Sequence, residues 1–154
     1  LFAWPGTQTL AVGGALTLDH LLDAEGLALA ANVDPAGLRW VLTSRDLVKL
    51  RKVKATDGTY LVQPDVTTGR GYTLFGHPVI VSNRVPDTTG GAPTGRAALV
   101  DFAQVAVARD LAPTVKILDQ TFGDYDQRAI RVTARYDAAP LNAEAVVILK
   151  GITV

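Results

Sequence analysis

The sequence predicts an α+β fold, with helices in its first third and strands through most of the remainder. Three observations carry this. Two apolar runs at helical spacing, each behind a threonine, lie ahead of Ala55; β-type runs recur between Ala97 and Asp137; and Ala145 to Leu149 is apolar at every position. A run with no polar alternation has no wet face, so it is expected to be a central strand covered on both sides.

Taken in order, Leu1 to Gly14 holds Trp4-Pro5-Gly6 and Gly13-Gly14 and is expected to be irregular with one short strand, Trp4 being a packed aromatic. Thr17 is a plausible N-cap, and Leu18, Leu21, Leu22, Ala24, Leu27 and Leu29 predict a helix to about Ala31, with Asp19 near its positive end. Asn32 to Gly37, with Asp34-Pro35, ends it. Trp40 to Leu42 predicts a strand that delivers a second helix at Thr43-Ser44, with Asp46 three residues after Thr43 and Leu47, Leu50 and Val53 following at helical spacing. Asp57-Gly58 supplies a turn, and Thr59 to Val62 and Phe75 to Val81 are expected strands.

Further on, Ala97 to Phe102, Val105 to Arg109 and Val115 to Leu118 are β-like, and Thr121 to Gln127 is a turn-like break. Ile130, Val132, Ala134 and Tyr136 alternate with Arg131, Thr133, Arg135 and Asp137, which predicts one strand with one wet face.

Composition narrows the function classes. At 154 residues and 48% hydrophobic, the chain has enough apolar mass for a real core. Its 15 basic residues match its 15 acidic ones, so the long-range field behind non-specific nucleic-acid binding is missing and no specific nucleic-acid partner is expected. The absence of cysteine removes disulfides, thiolate metal sites and cysteine nucleophiles. No apolar run approaches the roughly 20 residues of a membrane span, and no membrane partner is expected. There is no Met and the first residue is Leu1, so a piece of a longer polypeptide is expected.

No motif points to catalysis or to a cofactor. The glycine-rich stretches Gly69-Arg70-Gly71 and Asp87 to Gly95 lack the lysine and the strand-to-helix context of a phosphate cradle. His20 and His77 have no partner at metal-ligand spacing. Ser44 and Ser82 lack a nucleophile elbow. The one rival from the enzyme class is a small α/β enzyme using Asp124 and Asp126, which flank Tyr125 in a turn.

Charge is distributed unevenly. Residues 1–38 carry Asp19, Asp23, Glu25 and Asp34 with no basic residue, whereas residues 39–54 carry Arg39, Arg45, Lys49, Arg51, Lys52 and Lys54 against Asp46 alone. Two readings stay open: solvated faces that touch within one copy, or a head-to-tail contact of one copy's acidic helix with the next copy's basic helix. Candidate interface residues are Asp19, Asp23, Glu25, Lys49, Arg51, Lys52 and Lys54, joined by Arg131 and Arg135 on the late strand run.

The order of these pieces resembles a known family. A strand ending in Arg45-Asp46, a basic helix, Asp57-Gly58-Thr59-Tyr60-Leu61, then Leu74-Phe75-Gly76-His77-Pro78-Val79, is similar to the axial domain of tailed-bacteriophage major capsid proteins. The resemblance continues through Leu99-Val100-Asp101-Phe102, Arg109-Asp110, Ala129 to Asp137 and Val146 to Gly151, and covers about residues 16 to 154. It implies a major-capsid-type fold whose axial domain (8–104 and 138–154) has a mixed central sheet flanked by helices, with 105–137 in the peripheral strand region. It also implies a shell protein of a phage or prophage virion, assembled in the bacterial cytoplasm from pentamers and hexamers around DNA. An encapsulin-type compartment shares the fold and is the close alternative. The family's N-terminal arm, extended loop and spine helix would lie ahead of the matched region, so the 154 residues alone are expected to be monomeric.

Some family members cross-link a loop Lys to an Asn side chain, with a Glu as base. Counting back from Leu149-Lys150-Gly151, those two positions fall on Arg128 and Arg135, and a one-residue slip brings Gln127 to the first but only Ala134 or Tyr136 to the second. A guanidinium offers no carbonyl to an amine and takes up no proton at neutral pH. Mature particles should therefore run as a single band at the monomer mass on a denaturing gel; a ladder of covalent oligomers would contradict this.

Overall fold

The computed structural model describes residues 1–62, 71–87, 93–110, 112–122 and 127–153. Two compact units are present, one made of Leu1–Val105 with Pro140–Val154 and a smaller one of Ala106–Ala139.

The larger unit is built on a six-stranded mixed sheet. Its strands are β1 (Gln8–Ala11), β2 (Leu38–Leu42), β3 (Thr73–Leu74), β4 (His77–Val81), β5 (Thr94–Asp101) and β10 (Val146–Thr153), in the spatial order β1-β10-β5-β2-β4-β3. β10 runs parallel to β1 and antiparallel to β5, while β2 is antiparallel to β5 and parallel to β4. Period-two alternation sorts the side chains of the middle strands. Leu38, Trp40, Leu42, Ala97, Leu99, Val147 and Leu149 join one buried cluster, whereas Val41, Ala98, Val100, Val146 and Ile148 join a second. The expected central strand is thus found, apolar throughout because both of its faces are covered.

The first cluster is closed by α1 (Leu18–Ala30) and α2 (Ser44–Arg51), through Leu21, Ala24 and Ala28 of the one and Leu50 of the other. Leu1, Phe2 and Trp4 pack against the second cluster, which makes Trp4 a packing aromatic as expected. Trp40, fully buried, donates its indole N–H to the carbonyl of Leu74 at 3.2 Å, so the largest core side chain also satisfies a backbone acceptor.

Thr17 caps the first helix as expected, and of the pair Thr43-Ser44 it is Thr43 that caps the second, Ser44 being its first residue. The hydroxyl of Thr17 accepts from the amide of His20, whose ring reaches back to Thr17, forming a capping box with histidine in the place usually taken by Glu or Gln. Thr43 accepts from the amide of Asp46. The second helix ends at Arg51, short of the expected Val53. Its last carbonyls are capped by the amide of Lys52, and Val53 leaves the helix axis to receive a hydrogen bond from Leu61.

Three other expectations change. Thr59 to Val62 is not a strand: only Tyr60 bridges, to Lys54, around the Asp57-Gly58 turn. The strand expected from Phe75 begins at His77, because Phe75 and Gly76 (φ 50° and 80°) form the two-residue turn of a β3–β4 hairpin. A phenylalanine in the left-handed region is strained, and Phe75 is also exposed. Lastly, Ala129 to Asp137 is not one strand.

In the smaller unit, β7 (Thr114–Phe122) pairs antiparallel with β8 (Gln127–Thr133), so the strands extend into the stretch expected to be a turn. β6 (Val105–Arg109) pairs with β9 (Tyr136–Pro140). The chain breaks at Ala134-Arg135, where β8 gives way to β9 and the pairing partner changes. Nor is one face dry: Ile130, Val132 and Tyr136 are exposed, as are Arg131 and Arg135.

Gly151 decides the register of the last strand. It has φ 79° at a bulge between Lys150 and Ile152, and the extra residue returns Ile152 to the face of Val147 and Leu149, where it is fully buried. Gly151→Ala forces a side chain into the left-handed region and is expected to cost about 1–2 kcal/mol. Thermal unfolding of the purified chain should show the lowered midpoint; an unchanged midpoint would contradict the bulge's role.

Candidate functional site

The charged surfaces singled out from sequence are distributed over both units. On α1, Asp19 and Asp23 are exposed with no hydrogen-bond or ion-pair partner among the described residues. Glu25 is instead half-buried and lies 3.4 Å from Nε2 of His77, tying the helix to β4. A contact between residues 52 positions apart gives no local signal in the sequence.

The basic stretch is largely engaged within its own chain. Nζ of Lys49 donates to the carbonyl of Thr153 at 2.8 Å. Arg51 donates to the hydroxyl of Tyr72 at 3.3 Å, with its guanidinium 5.2 Å from the ring centre. Nζ of Lys54 sits 4.8 Å from the centre of the Tyr60 ring. Lys52 alone of the four is exposed without a described partner. Asp19, Lys49 and Lys52 line one groove between the start of α1 and the end of α2, so acidic and basic surfaces approach each other inside one copy without an ion pair.

In the smaller unit, Arg135 reaches Asp110 at 3.4 Å, both exposed. Arg131 lies directly opposite Lys116 across the β7–β8 pair. Sequence reasoning missed Lys116, whose significance comes from strand register. Arg128 lies on β8.

A second electrostatic cluster anchors the start of α2. The fully buried Asp46 accepts from the hydroxyl of Thr43 at 2.8 Å and from Arg45 at 3.2 Å, and Arg45 continues to Asp87 at 3.1 Å. Asp87 first and Asp46 second hold the Arg45 guanidinium proton more tightly than usual. Ser44 adds its amide and hydroxyl to Oδ1 of Asn83, at 3.1 and 2.7 Å. The helix is thereby fastened to residues 83–87. The role is structural, and it takes up the Ser44 hydroxyl, which was a candidate nucleophile. Ser82 likewise accepts from the amide of Arg84.

Among the described residues no group of three or more His, Cys, Asp or Glu side chains is placed to hold a metal, and no helix is long and apolar enough to cross a membrane. Asp124 and Asp126 lie outside the described residues, as do Gly69, Arg70 and residues 88–92 of the glycine-rich stretches.

The sequence profile described as the phage capsid family matches residues 1–151. The chain belongs to that family. Solved structures agree on the fold. The capsid of an empty GTA particle computed with fivefold symmetry matches with a TM-score of 0.73 and 22% identity, over 98% of this chain and 52% of that one. A chain of Mycobacterium phage Che8 matches at 0.70 and 19%, over 93% and 53%. The holo-SrpI encapsulin complex from Synechococcus elongatus matches at 0.65 and 18%, over 97% and 54%. This member of the phage capsid family therefore spans about half the length of the solved chains it resembles. No curated protein sequence matches it.

Thr43→Ala removes a helix cap and one of the two groups that satisfy a buried carboxylate, so it is expected to cost about 1–2 kcal/mol. Urea unfolding should show the reduced midpoint with an unchanged slope; a wild-type midpoint would mean the cluster does not anchor α2.

Proposed function

We propose that the chain is part of a major capsid protein, a structural subunit that self-assembles into the head of a tailed phage or prophage. The single observation that carries this is family membership over residues 1–151, and the fold of capsid chains followed across nearly the whole length supports it. A structural role suits the site chemistry as well, since the polar clusters described above tie helices and strands together.

On this reading the axial domain comprises 8–104 and 138–154, and 105–137 belongs to the peripheral strand region. Complete subunits cluster as pentamers and hexamers in the virion shell, having assembled in the host cytoplasm around what becomes a DNA-filled head. The encapsulin likeness favours a second reading, a compartment shell enclosing an enzyme. Neighbouring genes separate the two: portal, protease and terminase genes against a cargo enzyme.

Electron microscopy of the complete gene product should show closed shells, and a product that stays dispersed at high concentration would overturn the proposal. The 154 residues alone, at tens of micromolar, should give a monomer mass by light scattering, on the expectation that contacts confined to them bury less than the roughly 1,000 Å² of a stable interface. Stable pentamers or hexamers of this piece would contradict that expectation.

A further inference from the structure

The β7–β8 pair presents two cations that share a groove with Asp110, whose carboxylate is engaged by Arg135 instead. Lys116 and Arg131 are directly opposed on one face, and Thr114 and Thr133 are opposed one step along it. Both cations are exposed and have no ion pair or hydrogen bond among the described residues. Like charges placed opposite each other on a strand pair are destabilising. Such a pair is stable when counter-charges are brought to it, and the spacing of roughly 5 Å between opposed Cβ atoms sets the spacing those counter-charges need.

The chain carries a matching surface. Asp19 and Asp23 are four residues apart on α1, so their side chains project from one helix face about 5–6 Å apart. They are the acidic residues of the helix that the fold leaves without partners, since Glu25 faces His77. The basic residues near α2 that might have received them are mostly occupied: Lys49 by Thr153, Arg51 by Tyr72 and Lys54 by Tyr60.

We infer that Asp19 and Asp23 of one copy dock on Lys116 and Arg131 of a second copy, two carboxylates one helical turn apart meeting two cations directly opposed on a strand pair. The contact rests on the shell reading and names one of its subunit interfaces. It is heterologous, because an α1 surface meets a strand surface, and contacts of that kind propagate around a ring when the rotation closes. Exposed charge pairs are individually weak, so its main effect is on the choice and register of partners.

Charge reversal in the complete protein tests this. Lys116→Glu with Arg131→Glu is expected to reduce particle yield at least tenfold on a sedimentation gradient, and Asp19→Lys with Asp23→Lys to do the same. Combining the four substitutions restores opposite charges across the contact and should return particles to near the unaltered yield. Thermal unfolding of the 154-residue variants should stay within a few degrees of the original, which separates a contact defect from misfolding. Normal assembly of either double variant, or failure of the fourfold variant while the unaltered protein assembles, overturns the contact and leaves the shell reading standing. Rescue of the Asp19→Lys, Asp23→Lys variant by Lys52→Glu and Lys54→Glu instead would overturn it in favour of α2. If the unaltered complete protein forms no particles, the shell reading falls and the contact falls with it.

Discussion

Because β5 and β10 lie side by side with apolar residues on both faces, the elements around them in the larger unit must cover one face or the other. Every residue of β10 from Val146 to Leu149 is fully buried, and so is every residue of β5 from Ala97 to Val100. Placing eight such residues in contact with water would forfeit about 1.5–3 kcal/mol for each larger side chain. Helices α1 and α2 answer this requirement on one side, and Leu1, Phe2, Trp4 and Val85 contribute to it on the other. The charged anchoring of Asp46 and Arg45 then has a clear purpose: it fixes where the short second helix begins, and hence where Leu50 meets the core.

Features fixed by neighbours in sequence were legible in it. Thr17 as a cap and the helix start at Thr43-Ser44 are legible because a cap hydroxyl bonds to an amide three residues away, and Ala145 to Leu149 as a central run because burial on both faces removes alternation. Features fixed by strand partners were not. Nothing local distinguishes Thr59 to Val62 from a strand, yet its pairing stops at an isolated bridge from Tyr60 to Lys54. The break at Ala134-Arg135 has no Gly or Pro to announce it, because it marks the point where the chain leaves the β7 partner for the β6 partner. Gly151 could have been read as a bulge from an isolated glycine inside a strand pattern, and its effect on Ile152 follows from parity.

The candidate surfaces divide in the same way. Asp19, Asp23, Arg131 and Arg135 could be picked out by residue type and spacing. The pairing of Glu25 with His77 and the engagement of Lys49, Arg51 and Lys54 depend on folded geometry, and these change which charges face outward. Lys116 is the instructive omission, since a lone lysine among Thr114, Val115 and Ile117 draws no notice until the register sets it against Arg131.

The edges of the six-stranded sheet have a consequence for how one molecule can add to another. Among the described residues the sheet ends in β1, four residues long, and β3, two residues long, and β4 carries Pro78 beside that second edge, which removes one backbone donor. A long open strand would invite another molecule to add by backbone pairing, in a chain of additions without a natural end. Edges this short offer little template for fibre growth. Any contact between copies is then left to side chains, whose directional geometry, unlike an open strand edge, limits what can add.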